Sequence, residues 1–328
     1  MSQPAENSTA NWWPVLLTLA IVLAIVFALF QPWNIDNLTS HPNPVKSYEE
    51  AFERIQNSRS GQTNLNPVCQ TQFLTHGQQT ERVIVFAHGY TSCPQQFAEL
   101  GKRFFDLGYN VLIVPVPHHG LTDRMTDEQS RITSEEYITY TDQVVDIAVG
   151  LGKRVIVAGI SQGGVLTAWA AQNRSEIELA VIISPGFSFK EVPLPLTVPI
   201  ANIFRILPVS YDWWDPALKE KLGPSYGYPR YTKRTLGEIM RLGFSVRAAA
   251  QRSAPAARSL LMVTNANDQS VSNETAAQMV QIWRTGGANI ATYEFEASLG
   301  LGHDMIDPND KDANIEVVYP RLIELINR

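Results

Sequence analysis

The chemistry in this chain concentrates in Val155-Ile156-Val157-Ala158-Gly159-Ile160-Ser161-Gln162-Gly163-Gly164. Here an apolar, β-branched run enters Gly-x-Ser-x-Gly and leaves into a helix-forming segment rich in Ala, Leu and Trp. A serine on such a strand-to-helix turn is held in a strained backbone conformation with its hydroxyl outward, and only small neighbours let strand and helix approach closely enough. Gly159, Gly163 and Gly164 are those neighbours. The reading is a nucleophile, Ser161, and the weight comes from the context, since a Gly-rich turn alone is common.

A serine hydroxyl is a weak nucleophile. It needs a histidine to take its proton and an acid to fix that histidine's tautomer and stabilise the imidazolium. The expected chain order is Ser, Asp, His. Downstream, the strand-like Ser259 to Thr264 opens into a loop carrying Asp268, and the strand-like Ala291 to Phe295 is followed by Gly302-His303-Asp304. Of six histidines, His41 lies in a linker, His76 and His88 precede the elbow, and His118 and His119 share one loop, so His303 is the base candidate. Asp268 is preferred as the acid; Asp307 remains the alternative, and Asp304 adjoins the base too closely to face its Nδ1. The tetrahedral intermediate needs two backbone N–H donors. Gln162, at a helix N-terminus, supplies one, and Tyr90, after the strand-like Arg82 to Ala87 and the turn His88-Gly89, supplies the other.

These residues resemble an α/β-hydrolase of the serine-esterase kind, similar to bacterial carboxylesterases and monoacylglycerol lipases. The resemblance runs from about Thr71 to the C-terminus. It is carried by His88-Gly89-Tyr90, the Pro115 to Gly120 loop, the elbow at Ser161, Asp268 with Val271, and Gly302-His303. It implies a mostly parallel eight-stranded sheet flanked by helices, with a variable cap inserted after the sixth strand. Gln162 stands where Met is common, and no His-Gly-Gly-Gly run is present, which argues against the hormone-sensitive-lipase branch. The nucleophile is not aspartate, which disfavours epoxide hydrolase and haloalkane dehalogenase readings.

The elements that must position the site alternate between strand and helix, the α/β signature. Asn110 to Val116 reads as a strand, Pro94 to Leu107 as a helix, and Thr133 to Val149 as a helix opened by a Thr133 and Glu136 capping box. The alternation breaks after Val181-Ile182-Ile183-Ser184. A Pro-rich segment with Trp213 and Trp214 follows, and 186–242 is the candidate cap. Its aromatic and aliphatic residues, Phe204, Ile206, Leu207, Tyr211, Trp213 and Trp214, either line an apolar substrate channel or form the cap's own small core. The core is expected over 68–185 and 243–328.

At 328 residues and 45% hydrophobic content the chain can bury one large core, and its net charge of −6 suggests no nucleic-acid surface. No Gly-rich dinucleotide fingerprint or phosphate loop is present, so no cofactor is expected. His118 and His119 point in different directions without a carboxylate or cysteine ligand set, so no metal is expected either.

The N-terminus differs in kind. After a tail at 1–11, Val15 to Phe30 holds Thr18 as its only polar residue, bracketed by Trp12, Trp13 and Trp33. With its flanks the segment 12–33 approaches the roughly 20 residues that cross a bilayer, with tryptophans where interface belts place them. A single-pass transmembrane anchor is expected rather than a cleaved signal peptide, because no positive n-region or small-x-small site accompanies it. A tether, 34–67, rich in Asn, Pro and Ser, carries a short amphipathic helix around Tyr48, Ala51, Phe52 and Ile55. Orientation is nearly silent, since the first Lys or Arg is Lys46. Cys69 and Cys93 are either a disulfide, closing a loop of about 25 residues and contributing about 3 kcal/mol in the chain-entropy model, or two unrelated buried thiols. A bridge implies an oxidising, extracytoplasmic setting.

The expectation is a membrane-anchored serine hydrolase acting on carboxylic, acyl or lipid-type esters. The same residues suit an acyltransferase or peptidase. The reading from a different class is a noncatalytic membrane-anchored protein on a hydrolase scaffold.

Overall fold

The computed structural model describes residues 12–218 and 225–328. The predicted tail 1–11, and Pro224 of the cap, lie outside the described residues. In chain order the elements are α1 (Trp13–Leu29), α2 (Tyr48–Ser60), β1 (Gln72–Leu74), β2 (Thr80–Ala87), α3 (Ala98–Asp106), β3 (Asn110–Ile113), α4 (Ser134–Leu151), β4 (Gly152–Ile160) and α5 (Gln162–Asn173). Then come β5 (Ile177–Ile183), α6 (Thr197–Ile206), β6 (Tyr211–Trp213), β7 (Arg230–Thr232), α7 (Lys233–Ala250), β8 (Ser259–Asn265), α8 (Asn273–Thr285), β9 (Ile290–Phe295) and α9 (Ile315–Asn327).

The main sheet runs β1-β3-β2-β4-β5-β8-β9, parallel throughout except for β1, which pairs antiparallel with β3. It has seven strands among the described residues, one fewer than expected. The chain before β1 is committed elsewhere: Thr71 N–H donates to Gln62 Oε1 (3.0 Å) and Cys69 is locked into a buried bridge, so β1 itself is the sheet's edge. The central strands read as unbroken apolar runs because both faces are covered. On β2, Val83, Val85 and Ala87 pack with residues of α4, α5, α7 and α8, while Ile84 and Phe86 pack with Leu100 and Phe104 of α3 and Val318 and Leu322 of α9.

Helix α4 starts where the capping box predicts: Thr133 accepts from Glu136 N–H, and Glu136 accepts from Thr133 N–H. The cap contains α6 and a two-stranded hairpin of β6 and β7. The expected cap boundary at 242 falls inside α7, which runs on to Ala250 and lies close against α6: a Cβ on Gly237 would lie 3.0 Å from Ala201 O.

The predicted tether is pinned down. Asp142 and Asp146, one turn apart on α4, accept from Ser40 Oγ (2.6 Å), His41 N–H (2.6 Å) and Asn43 N–H (2.9 Å). Arg174, fully buried, balances both carboxylates at 2.9 and 2.6 Å. Buried charges persist only when paired in this way.

The N-terminal apolar segment forms α1, 17 residues long, about 25 Å at 1.5 Å per residue. Among the described residues no helix is long and apolar enough to cross a membrane, so the expected transmembrane span over 12–33 is not borne out there. The helix stops at Leu29 because its end is turned onto the cap. Asn202 Nδ2 donates to Leu29 O and Gln31 O (both 2.8 Å), Trp33 Nε1 donates back to Ala28 O (2.8 Å), and Pro32 disfavours helix at Gln31.

Candidate active site

Parallel sheets place their functional loops beyond the carboxyl ends of the strands. Here the ends of β2, β4, β8 and β9 lead to Tyr90, Ser161, Asp268 and His303 respectively. Ser161 sits at φ 58, ψ −116, a region that L-residues rarely adopt, between the last residue of β4 and the first of α5. Its N–H donates to Ile183 O (3.0 Å) and its carbonyl accepts from Gly186 N–H (3.0 Å), so β5 and the loop beyond it hold the turn from both sides. The glycines are sterically required. A Cβ on Gly163 would lie 1.9 Å from Ala87 O, and one on Gly159 2.2 Å from Gly163 O.

His303 Nδ1 donates to Asp268 Oδ2 at 2.8 Å. The second oxygen of Asp268 accepts from Ser270 N–H (2.8 Å) and Val271 N–H (3.1 Å). Burial opposes ionisation of both groups. The hydrogen bond and charge between them outweigh it, so the Asp268 carboxyl lies below its ordinary value and the His303 ring above its own. Asn265 and Asn267 donate to Leu301 O (2.9 and 3.0 Å), which fixes the acid loop to the histidine loop. Asp307 is turned elsewhere: its carboxylate accepts from Tyr226 OH and, at 2.9 Å, from Asn309 N–H.

Tyr90 and Gln162 flank the serine. Gln162 opens α5, so its N–H has no acceptor within the helix. The Gly89–Tyr90 peptide is held by its carbonyl, which accepts from His88 Nδ1 (2.9 Å) and Ser92 N–H (3.2 Å). A trans peptide then aims Tyr90 N–H the opposite way. His88 is neutral with its proton on Nδ1, since its Nε2 accepts from Val116 N–H (2.9 Å) and burial pushes its pKa down to about 4. A Cβ on Gly89 would lie 3.6 Å from Ser161 Cβ, which measures how closely this loop meets the elbow.

Ser161, His303, Tyr90 and Gln162 all line one cavity of about 670 Å³ under the cap. Its lining includes the apolar Phe189, Val192, Phe204, Leu236 and Ile239, with Trp213 and Trp214, and on the His303 side the carboxylates Asp304 and Asp307. Ile206 and Leu207, grouped with them in the sequence, face solvent instead.

Gln96 carries no sequence signal, and Asp304, set aside in the sequence as the acid, has a different part in this site. Gln96 accepts from Gly89 N–H through Oε1 (2.8 Å) and donates through Nε2 to Asp304 Oδ1 (2.9 Å), tying the Gly89 loop to the histidine loop. Burial raises Asp304 to about 6.

Cys69 and Cys93 are joined, with S–S 2.08 Å, and both are fully buried. His118 lies between Glu128 and Glu136 (both 3.2 Å), and His119 is buried with Nδ1 on Pro117 O (2.8 Å). Among the described residues no group of three His, Cys, Asp or Glu is arranged to hold a metal ion.

The sequence profile of the alpha/beta hydrolase family matches residues 84–315. No curated protein sequence matches the chain. Among solved structures, the fold is similar to one from a study of LipS and LipT, two metagenome-derived lipolytic enzymes (17% identity, 80% of this chain and 99% of that one, TM-score 0.60). It is also similar to the monoacylglycerol lipase of Paleococcus ferrophilus (17% identity, 78% and 97%, TM-score 0.59). A soluble variant of the Saccharomyces cerevisiae monoglyceride lipase, in complex with a substrate analog, is a third (13% identity, 78% and 90%, TM-score 0.55). At these identities the likeness is one of fold.

Proposed function

The chain belongs to the alpha/beta hydrolase family, and we propose that within it this protein is a serine esterase acting on acyl or lipid-type carboxylic esters. The observation that carries the reading is the 2.8 Å His303–Asp268 pair facing the same cavity as a serine held at φ 58. In this reading Ser161 Oγ bonds to the ester carbonyl carbon as its proton passes to His303, and the carbonyl oxygen takes the charge between Tyr90 and Gln162 N–H. The carbon–oxygen bond to the alcohol breaks, and the alcohol leaves with the proton from His303. Water, deprotonated by His303, then releases the acid and frees Ser161. The lipid-type choice is supported by the apolar residues that line the cavity and by structural neighbours that are lipolytic enzymes and lipases. If an acceptor other than water reaches the acyl-enzyme, the same residues perform acyl transfer.

Hydrolysis of p-nitrophenyl esters of graded acyl length tests this. The full chain is expected to turn them over, and Ser161→Ala to lose several orders of magnitude in kcat, as deletion of a triad nucleophile does. A wild-type chain inert to every ester, and unlabelled by a fluorophosphonate, would return the scaffold-protein reading.

The finer part of the proposal is attachment to a membrane through α1. Helix α1 is apolar but for Thr18, and apolar side chains around it face water, with Leu17, Leu23 and Phe27 exposed by 60 to 69%, an arrangement that a lipid surface stabilises and water does not. Flotation of the full chain with phosphatidylcholine vesicles is expected, and Leu19→Lys with Leu23→Lys should leave it at the bottom of the gradient. Flotation unchanged by the two lysines counts against α1 as the attachment. With the buried Cys69–Cys93 bridge, the proposal puts the catalytic domain in an oxidising compartment.

A further inference from the structure

The loop that carries Tyr90 N–H is stitched to the cap. Thr91 has φ 63, a left-handed conformation that a β-branched residue holds only when its surroundings impose it. Its carbonyl accepts from Tyr228 N–H at 2.7 Å, and its hydroxyl accepts from Trp214 Nε1 at 2.8 Å while donating to Tyr90 O at 2.6 Å. One residue earlier, Tyr90 OH accepts from Thr232 N–H (3.1 Å) and donates to Gln129 Oε1 (2.5 Å). Gln129 is itself held by the cap, donating to Arg230 O at 3.1 Å. Trp214 is 46% exposed, yet its ring stacks on Tyr231 at 4.1 Å, so its indole N–H is aimed rather than free to wander.

We infer that the seated cap holds the oxyanion-binding loop in its working shape, which makes Trp214, Tyr228 and Thr232 positioning residues for acyl transfer. The inference rests on the esterase reading. The Gly89–Tyr90 peptide is fixed from the core side by His88 and Ser92, with Gln96 holding the preceding Gly89 N–H, and from the cap side through Thr91 and the Tyr90 hydroxyl. When the cap lifts, Thr91 loses both cap donors and the Tyr90 side chain loses the Thr232 N–H. The left-handed turn then relaxes, and Tyr90 N–H swings from the line on which it meets a developing oxyanion. Substrate under a reseated cap restores it. An open molecule therefore admits ester but does not cleave it, so the cap acts on turnover rather than on access alone.

The test is a kcat against KM split on p-nitrophenyl butyrate with the full chain. Trp214→Phe keeps a ring on Tyr231 and removes only the indole N–H; Thr91→Val removes its acceptor. Each is expected to lower kcat about tenfold, below the 10²- to 10³-fold cost of deleting an oxyanion donor outright, with KM within about twofold. The double variant is expected to be no slower than Thr91→Val alone, since that change already removes the bond to Trp214 along with the Thr91 bond to Tyr90 O, and Thr91→Ser recovers most of the loss. Binding of a trifluoromethyl ketone, which forms a tetrahedral adduct on the serine, should weaken in parallel with kcat. A Trp214→Phe variant with wild-type kcat and raised KM overturns the inference, because Trp214 would then only line the substrate path. A fall in kcat accompanied by an equal loss of cooperative melting overturns it too. A wild-type chain inert to esters and to fluorophosphonate is a different failure, that of the esterase reading, and it is visible before any cap variant is made.

Discussion

Asp304 adjoins the proposed base without touching its Nδ1, and its carboxylate still acts on the ring through space. Burial and neighbouring carboxylates raise Asp304 to about 6, and its negative charge is one of the contributions that raise His303. Catalysis needs His303 neutral, so kcat/KM should fall as pH drops through the His303 pKa, above the 6.5 of an ordinary histidine. Asp304→Asn keeps an acceptor for Gln96 and removes the charge. The protonated ring loses a stabilising neighbour, its pKa falls, and the acid limb of the pH–rate profile should move to lower pH. An acid limb that stays in place refutes the coupling. The positions of Ser161, Asp268 and His303 beyond strand ends were legible because each follows an apolar, strand-like run; the catalytic roles given to them are part of the proposal. The Gln96–Asp304 bond was not legible, because it joins positions 208 apart and nothing local marks Gln96 as Asp304's partner.

Among the elements, the β4-to-α5 junction has the least freedom. Gly163 passes so close to the end of β2 that a methyl group would fall 1.9 Å from Ala87 O, an overlap with backbone that no rotamer relieves. Gly163→Ala is expected to cost more than the ~3 kcal/mol at the upper end of ordinary overpacking. Urea unfolding of the variant measures it, and a loss under about 1 kcal/mol would mean that β2 can retreat from the elbow. The long strands and α4 were legible because periodicity and a capping box act locally. The hairpin of β6 and β7 was not, since each strand is three residues long and owes its form to pairing across the cap. Nor was the strapping of 40–45 onto α4 visible. A segment rich in Asn, Pro and Ser reads as a tether, and only the fold shows that buried carboxylates at 142 and 146 receive its N–H groups.

For the whole molecule, two buried histidines set the response to acid. Burial lowers His88 to about 4 and His119 to about 3, so both stay neutral in the folded state when the unfolded chain, near 6.5, has taken up protons. At these two groups the unfolded state binds more protons between about pH 6.5 and 4, so their contribution to stability falls as pH falls and is absent above that window, while Asp304, raised to about 6, offsets part of the loss. By pH 5 the loss should be on the order of a few kcal/mol. Urea melts at pH 7 and 5 read it, and His119→Asn should flatten the slope; a slope unchanged in that variant would assign the acid sensitivity elsewhere. The apolar N-terminal helix was legible as an element, and Pro32 marks its end, but its docking was not, because the side chain that receives that end is Asn202, some 170 residues further on. That junction has a mechanical meaning. The segment leaving α1 is held by Asn202, Arg205 and Arg241 through the carbonyls of Leu29, Gln31, Trp33 and Asn34. A pull on α1 therefore enters the body of the protein at the cap helices, through a handful of side-chain bonds, before any strand of the sheet is loaded. The cap is the fuse in that line of force, and the sheet lies behind it.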